Sequence, residues 1–257
     1  MKYTYQELAG MIDHSLLHPT LTDRELEEGC RQAARYGVAS VCLKPYCVRR
    51  AAELLAGSGV AVGAVVGFPH GGSTTDVKRY ETEMACREGA VEIDMVINIG
   101  KALSGDWDYV ESDIRAVCKE AHGRGAKVKV ILENDYLAKG GAGLSSEEIK
   151  RKLCQLAEGA GADWVKTSTG YGFVKGADGK YSYQGATEAD LELMRASVSA
   201  RVQVKAAGGV RDLDGLIRVR DTGASRCGAT ATAAMLEEYK RRAEAEKTGR
   251  AAQAVGG

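Results

Sequence analysis

RGAKVKVIL, residues 124–132, shows the pattern on which the fold depends: a glycine ends a helical stretch, a small residue follows, and a mostly apolar run begins. EGAVEIDMVI at 88–97 and AGADWVKTS at 160–168 repeat this junction. The three glycines, Gly89, Gly125 and Gly161, follow one another at intervals of 36 residues. That spacing is about the length of one strand–helix unit. Glycine suits the left-handed C-cap of a helix, so each stretch predicts a helix that leads directly into a strand.

The same alternation runs along the chain and predicts eight strands, many of them nearly continuous apolar runs, as parallel strands covered by helices require. Their approximate bounds are residues 10–15, 38–43, 61–67, 91–97, 127–133, 163–167, 202–206 and 224–228. Three capping patterns mark helix starts: Thr22 with Glu25, Ser145 with Glu148, and Thr187 with Asp190. We therefore predict one α/β domain over residues 1–257, a single (β/α)8 TIM barrel in which roughly 234–257 form a C-terminal helix and a flexible tail.

Composition excludes several classes of function. Basic and acidic residues both number 35, so no strong field attracts nucleic acid or an anionic membrane. Seven cysteines without CxxC spacing indicate reduced thiols rather than a disulfide framework or a zinc site. No apolar signal segment or membrane span is apparent, and we expect a soluble, cytoplasmic protein.

Charged residues within three predicted strands indicate chemistry. Asp94, Lys166 and Lys205 each lie in or just after an apolar run, near the barrel face where active sites form. Taken singly, each would be a solvated strand end or a structural ion pair. Together they suit catalysis by an amine, because burial and a neighbouring cation both favour the neutral form of a lysine. A neutral amine can attack a carbonyl and form an iminium, while a carboxylate moves the required proton.

Glycines follow the last two predicted strands. Gly208 and Gly209 come directly after one, and Gly228, Ala229 and Thr230 after the other. These two loops are the usual phosphate-binding place of barrels, and glycines let backbone N–H groups approach an anion. We expect a local anion site there.

Five motifs together resemble the deoxyribose-phosphate aldolase family over most of residues 8–235. They are IDHSLLHPT, VGFPHGGSTTDVKRYE, EIDMVINIG, DWVKTSTG and VKAAGGVR. The resemblance implies reversible cleavage of 2-deoxy-D-ribose 5-phosphate into acetaldehyde and D-glyceraldehyde 3-phosphate, with no metal or other cofactor. It also implies a homo-oligomer, which we take to be a dimer, acting on small sugar phosphates and aldehydes.

The resemblance also assigns roles by position. Lys166 matches the Schiff-base lysine, Lys205 the second lysine that lowers its pKa, and Asp94 the carboxylate that transfers protons with water. The implied substrate-binding residues are Gly170, Gly208, Gly209, Gly228 and Thr230 in the phosphate loops and Asp13, Ser15 and Thr169 in the site wall. Cys42 is placed beside them, although a buried inert thiol is its simpler interpretation.

Three features depart from the family pattern. Lys44 stands where the family carries Asn or an aromatic residue, and it is either a solvated residue at a strand end or part of the site. Thr230-Ala231 replaces the usual pair of serines, so one hydroxyl donor to phosphate is missing, and the segment 171–186 is longer than expected. That segment is either a solvated excursion or a lid whose Lys175 and Lys180 contact phosphate. The alternatives are therefore a related lysine aldolase for another acceptor or sugar phosphate, and a non-catalytic barrel that binds a phosphorylated metabolite.

Overall fold

The computed structural model describes residues 1–255, and side chains through residue 248. The strands are β1 Ile12–Leu16, β2 Ser40–Leu43, β3 Ala61–Val66, β4 Glu92–Val96, β5 Lys127–Ile131, β6 Trp164–Lys166, β7 Val174–Lys175, β8 Tyr181–Ser182, β9 Gln203–Ala207 and β10 Arg226–Ala229. The α-helices are α1 Tyr5–Ala9, α2 Asp23–Tyr36, α3 Val48–Leu55, α4 Thr75–Arg87, α5 Ile99–Leu103, α6 Trp107–His122, α7 Ser146–Ala160, α8 Glu188–Ser197, α9 Leu213–Asp221 and α10 Thr232–Val255.

Eight parallel strands close into a barrel in the order β1-β10-β9-β6-β5-β4-β3-β2. The predicted fold class is confirmed, and all eight predicted strands are present. The two remaining strands, β7 and β8, form a short antiparallel hairpin outside the barrel. This hairpin lies in the segment 171–186 that the sequence marks as long.

Local sequence explains most helix ends. Thr22 and Ser145 form the reciprocal capping boxes that the sequence predicts, whereas Thr187 accepts a bond from Asp190 N without the return bond. A further box at Thr4 opens α1 and was not predicted. Gly161 ends α7 with a φ of 103°, a conformation that favours glycine. The predicted helix-to-strand junction is therefore explained by its glycine.

The apolar core lies between the barrel and its ring of helices. Val128 and Val130 on β5, for example, are buried with Ile114 of α6 and Ile149 of α7. Lys129, between the two valines, points to the barrel interior and contacts acidic residues of β1 and β4. Side chains of alternating direction thus give an apolar outer layer and a charged interior.

Helix α10 extends from Thr232 to Val255. The end of the expected flexible tail, residues 256–257, lies outside the described residues. Within residues 1–255, no helix is both long and apolar enough to cross a bilayer.

Candidate active site

A layer of paired charges fills the interior of the barrel. Arg226 on β10 donates to Oδ1 of Asp13 at 2.5 Å and to Oε1 of Glu92 at 2.7 Å. Lys129 donates to Glu92, lies 3.1 Å from Oδ1 of Asp94 and lies 3.2 Å from Oδ2 of Asp13. Burying charges is costly unless each is paired, and this network pairs them. The layer forms the floor on which the candidate site is built.

The three sequence-predicted catalytic residues meet above this floor. Lys166 on β6 and Lys205 on β9 are register partners, and both Nζ atoms donate to Oδ2 of Asp94 at 2.7 Å. All three side chains are buried. The structure therefore brings together on one carboxylate oxygen the residues that the sequence places on three separate strands.

The two lysines differ in their other neighbours. Nζ of Lys205 also lies 2.5 Å from Oδ2 of Asp13, a carboxylate that does not pair with Lys166. Although burial opposes the charged form, Asp13 and Asp94 raise the pKa of Lys205 well above its usual value. Burial, assisted by the charge of Lys205 and opposed by Asp94, lowers the pKa of Lys166. The proton therefore stays on Lys205, and Lys166 is the lysine that can become neutral.

Asp94 remains ionised in this arrangement. Burial alone would raise its pKa, but Lys129, Lys166 and Lys205 together hold the pKa of the carboxyl well below its usual range. An ionised carboxylate beside an amine can accept and return protons during carbonyl chemistry.

A cavity of about 730 Å3 opens at the carboxyl ends of the strands and reaches Lys166. Seven of the predicted substrate-binding residues line it, with Lys166 at its base: Ser15, Thr169, Gly170, Gly208, Gly209, Gly228 and Thr230. A pocket with one reactive group at its base and polar groups around it is the usual form of a small-molecule site.

One end of the cavity suits an anion. Gly208 and Gly209 both have a φ of 84°, and no hydrogen bond found within residues 1–248 uses their N–H groups or that of Thr230. Arg211 also borders the cavity. Within residues 1–248, no ion pair involves its guanidinium. Free N–H groups and an unpaired guanidinium are a suitable cradle for phosphate.

Five other side chains that the sequence singles out lie outside the cavity wall: Asp13, Cys42, Lys44, Lys175 and Lys180. Asp13 is fully buried and lies in the charged layer rather than in the cavity wall. Cys42 is also outside the wall, 3.8 Å from Oδ2 of Asp94, and burial raises the pKa of its thiol to about 11. Lys44 donates to the carbonyl of His18 at 2.7 Å. In the segment 171–186, Lys175 and Lys180 are exposed and do not line the cavity.

Glu133, just after β5, supports a residue of the cavity wall and is absent from the sequence-predicted set. Its carboxylate accepts bonds from N of Thr169 at 3.2 and 3.3 Å and from the Thr169 hydroxyl. Burial raises the pKa of Glu133 to about 7, and its φ of 58° is unusual for a residue with a side chain. The signal was present, because Glu133 is a charged residue at the end of an apolar run, the criterion that found Asp94.

The segment 171–186 also contributes to the cavity, through aromatic residues. Tyr171, Phe173 and Tyr183 line it, and the rings of Phe173 and Tyr183 meet edge to face with centroids 5.1 Å apart. Asp135 holds the far end of the segment by accepting from N of Gln184 at 2.5 Å. The excursion therefore forms part of the cavity wall, and Asp135 ties its far end to the barrel.

Metal ligands are not grouped in the described part of the chain, where no cluster of three or more His, Cys, Asp or Glu side chains is placed to hold an ion. The chemistry that the site can support is that of a buried amine, an adjacent carboxylate and an anion cradle.

Comparison with known proteins identifies relatives of the whole barrel. The family described as DeoC/LacD family aldolase matches residues 8–250. A deoxyribose-phosphate aldolase of Rhodopirellula baltica is 49% identical over 239 residues, covering 93% of this chain and 92% of the relative. One from Clostridium perfringens is 45% identical over 232 residues, covering 90% and 95%.

Solved structures agree with this. The aldolase QR15 superposes with a TM-score of 0.80 at 33% identity and covers 92% of this chain and 97% of its own. A tetrameric deoxyribose phosphate aldolase from Aeropyrum pernix gives a TM-score of 0.79 at 28% identity, with 92% of each chain covered.

Proposed function

Since the chain belongs to the DeoC/LacD aldolase family, we propose that this class I aldolase cleaves 2-deoxy-D-ribose 5-phosphate reversibly through an imine on Lys166. One observation carries the proposal. Lys166 is a buried amine at the base of the cavity, 2.7 Å from an ionised carboxylate and opposite a second lysine that keeps the proton. The relatives are deoxyribose-phosphate aldolases, which indicates the substrate, and the anion cradle at Gly208 and Gly209 suits its phosphate.

The reaction follows from this geometry. The neutral Nζ of Lys166 attacks the aldehyde carbon of the open-chain sugar, and loss of water gives an iminium. A base removes the proton of the C3 hydroxyl, the C2–C3 bond breaks, and its electron pair moves into the iminium to form an enamine. D-glyceraldehyde 3-phosphate leaves. Protonation of the enamine at C2 and hydrolysis then release acetaldehyde and the free amine. Asp94 is the nearest carboxylate to that nitrogen and acts in the proton transfers, through water.

Lys205 and Asp13 act by controlling protonation. Asp13 stabilises the charged form of Lys205, and the charge of Lys205 disfavours a second charge on Lys166. Lys166 is therefore available as a nucleophile without a metal ion. Within the site, this is the feature that separates catalysis from simple binding of a phosphorylated metabolite.

Reductive trapping tests the proposal directly. The protein is incubated with acetaldehyde, reduced with borohydride and digested, and the modified peptide is located by mass spectrometry. We expect a stable ethyl group on Lys166 and none in Lys166→Arg. Modification of Lys205 or Lys44 with Lys166 untouched would overturn the assignment. A panel of sugars and acceptor aldehydes, each with and without phosphate, identifies the preferred substrate.

We also propose that the enzyme is a cytoplasmic homo-oligomer of at least two copies. The Aeropyrum pernix relative is tetrameric. Helix α4 and the 3-10 turn Pro45–Cys47, which contacts it, expose three large side chains: Val77 and Tyr80 on the helix and Tyr46 on the turn. All seven cysteines are free thiols, as a reducing compartment permits. Light scattering after gel filtration would measure the assembly, and fractionation of source cells would locate the activity.

A further inference from the structure

We propose that Tyr183, from the β7–β8 hairpin segment, is a substrate-binding residue whose hydroxyl donates a hydrogen bond to the phosphate of the substrate. The inference rests on the proposed function, because it assigns one more contact within the same site. It concerns a residue that neither the sequence motifs nor the phosphate loops contain.

The ring of Tyr183 lies over the phosphate-binding loop. Tyr183 and Lys166 line the same cavity, so the ring faces the space that the substrate occupies. A Cβ atom added to Gly208 would lie 3.3 Å from Cε2 of Tyr183. Cε2 is bonded to the carbon that carries the hydroxyl, so the hydroxyl end of the ring is the end next to Gly208.

The hairpin segment is held in this position from both sides. Asp135 accepts from N of Gln184 at 2.5 Å and from N of Gly185 at 3.1 Å. The N–H of Ala186 donates to the carbonyl of Gly208 at 3.1 Å. A Cβ on Gly185 would come within 2.6 Å of the Gly208 backbone, so only glycine permits this close approach. Tyr183 is thus fixed relative to the loop it covers before any substrate binds.

The hydroxyl of Tyr183 is available for a ligand. No hydrogen bond found within residues 1–248 uses it, although the ring itself packs against Phe173. A phenol hydroxyl is a donor to anionic oxygen. The cationic side chains of the same hairpin, Lys175 and Lys180, are exposed and do not line the cavity. The contribution of the hairpin to anion binding is therefore a neutral donor rather than a charge.

Tyr183→Phe tests the inference, because it removes the hydroxyl and keeps the ring. Tyr181→Phe is the matched control: it lies on the same hairpin, its side chain is 65% exposed, and it does not line the cavity. We measure KM for 2-deoxyribose 5-phosphate, the inhibition constant of inorganic phosphate, and kcat/KM for unphosphorylated 2-deoxyribose.

We expect Tyr183→Phe to raise both the KM and the phosphate inhibition constant about tenfold, the effect of losing one hydrogen bond to a charged group. The kcat/KM for unphosphorylated 2-deoxyribose should stay unchanged, and Tyr181→Phe should behave as wild type throughout. Wild-type constants in Tyr183→Phe would overturn the inference. Equal losses on both sugars would overturn it too, because they would place the hydroxyl away from phosphate.

The two proposals fail separately. Trapping of acetaldehyde on Lys166 uses no phosphate, so it should be equal in wild type and Tyr183→Phe. Absence of trapping in wild type would refute the proposed function. Normal trapping with an unchanged phosphate inhibition constant in Tyr183→Phe would refute only the role of Tyr183.

Discussion

Lys166 and Lys205 are register partners on neighbouring strands, and their Nζ atoms share one carboxylate oxygen, Oδ2 of Asp94, at 2.7 Å each. Two equivalent lysines in this arrangement would share the proton. Asp13 removes the equivalence, because it contacts Lys205 and not Lys166. The carboxylate that distinguishes the two lysines therefore lies below the site, on β1, and does not line the cavity.

Lys205→Met should raise the pKa of Lys166, because it removes a positive charge that lowers that pKa. Each unit of increase reduces the neutral fraction of the amine about tenfold near neutral pH. We expect activity to fall by orders of magnitude at pH 7 and to recover in part at alkaline pH. The measurement is the pH dependence of kcat/KM.

Lys78→Met is the control for Lys205→Met. Lys78 is equally buried and is paired with Asp113, away from the cavity. If loss of any buried lysine merely destabilises the barrel, both variants lose activity at every pH. If the acid limb of the pH profile of kcat/KM moves to higher pH only in Lys205→Met, the result supports the electrostatic role of Lys205. A near-normal rate of Lys205→Met at pH 7 contradicts it.

Asp94→Asn should separate imine formation from turnover. The charge of Asp94 raises the pKa of Lys166, so its loss does not reduce the supply of neutral amine. Proton transfer is lost, which typically lowers the rate by about 10²–10⁴-fold. We expect borohydride trapping of Lys166 to persist in a single turnover while steady-state kcat collapses.

The stability of Asp94→Asn must be measured alongside its kinetics. Three lysines lose a buried partner, and removal of one member of a buried pair costs about 3–5 kcal/mol. Circular dichroism at the assay temperature shows whether the variant is folded. A folded variant that turns over at the wild-type rate would remove Asp94 from the mechanism.

Glu133→Gln should change how stability depends on pH. Burial raises the pKa of Glu133 from 4.5 to about 7 in the native state. The native protein therefore keeps this proton to a higher pH than the unfolded chain, and its stability falls as the pH rises between those two values. Each unit of pKa difference is worth about 1.4 kcal/mol. Glutamine does not titrate, so the variant does not lose this part of its stability as the pH rises.

Thermal unfolding of both proteins from about pH 5 to about pH 8 measures the effect. We expect the Tm of wild type minus that of Glu133→Gln to decrease as the pH rises. Glu192→Gln, at an exposed position on α8, should follow wild type at every pH. A pH-independent difference for Glu133→Gln would show that the carboxyl is ionised throughout.

The fold could be predicted because it depends on local signals that repeat. The glycine junctions and apolar runs locate every barrel strand, and the differences in those strands lie at their ends. The predicted first strand includes residues 10 and 11, but Gly10 caps α1 and β1 begins at Ile12. The short helix capped at Thr4 is absent from the prediction, and its C-cap takes the first residue of the predicted strand.

The site was predictable where a charged residue lies in or just after an apolar run near the end of a strand. Asp94, Lys166 and Lys205 meet that criterion, and Glu133 meets it without being among the predicted residues. The depth of a side chain in the barrel is not visible in the sequence. It depends on the stagger between strands, which pairs Asp13 with Ser40 and Gly228 and places its carboxylate in the charged layer. Tyr183 was unpredictable because its position depends on Asp135, 48 residues earlier in the chain.

Shortening residues 174–184 to a brief glycine-containing turn tests what the excursion as a whole contributes. The cut removes the hairpin with Tyr183, while Gly172, which packs on the carboxylate of Glu133, and Gly185, which packs on Gly208, remain as its two ends. We expect acetaldehyde trapping on Lys166 to be intact, because Lys166, Asp94 and Lys205 make no contact with the removed residues.

The KM for 2-deoxyribose 5-phosphate should rise about tenfold or more in the shortened protein, because the cut also removes the hydroxyl of Tyr183, while activity on unphosphorylated 2-deoxyribose changes little. Comparison with Tyr183→Phe then divides the effect. If KM rises by the same factor in the two variants, the hydroxyl of Tyr183 accounts for the whole contribution of the hairpin. One hydrogen bond to phosphate explains about a tenfold rise in KM. A larger loss on both sugars would mean that the aromatic wall also binds the carbon chain. No loss on either would show that the hairpin is a solvated excursion that encloses the cavity without binding the substrate.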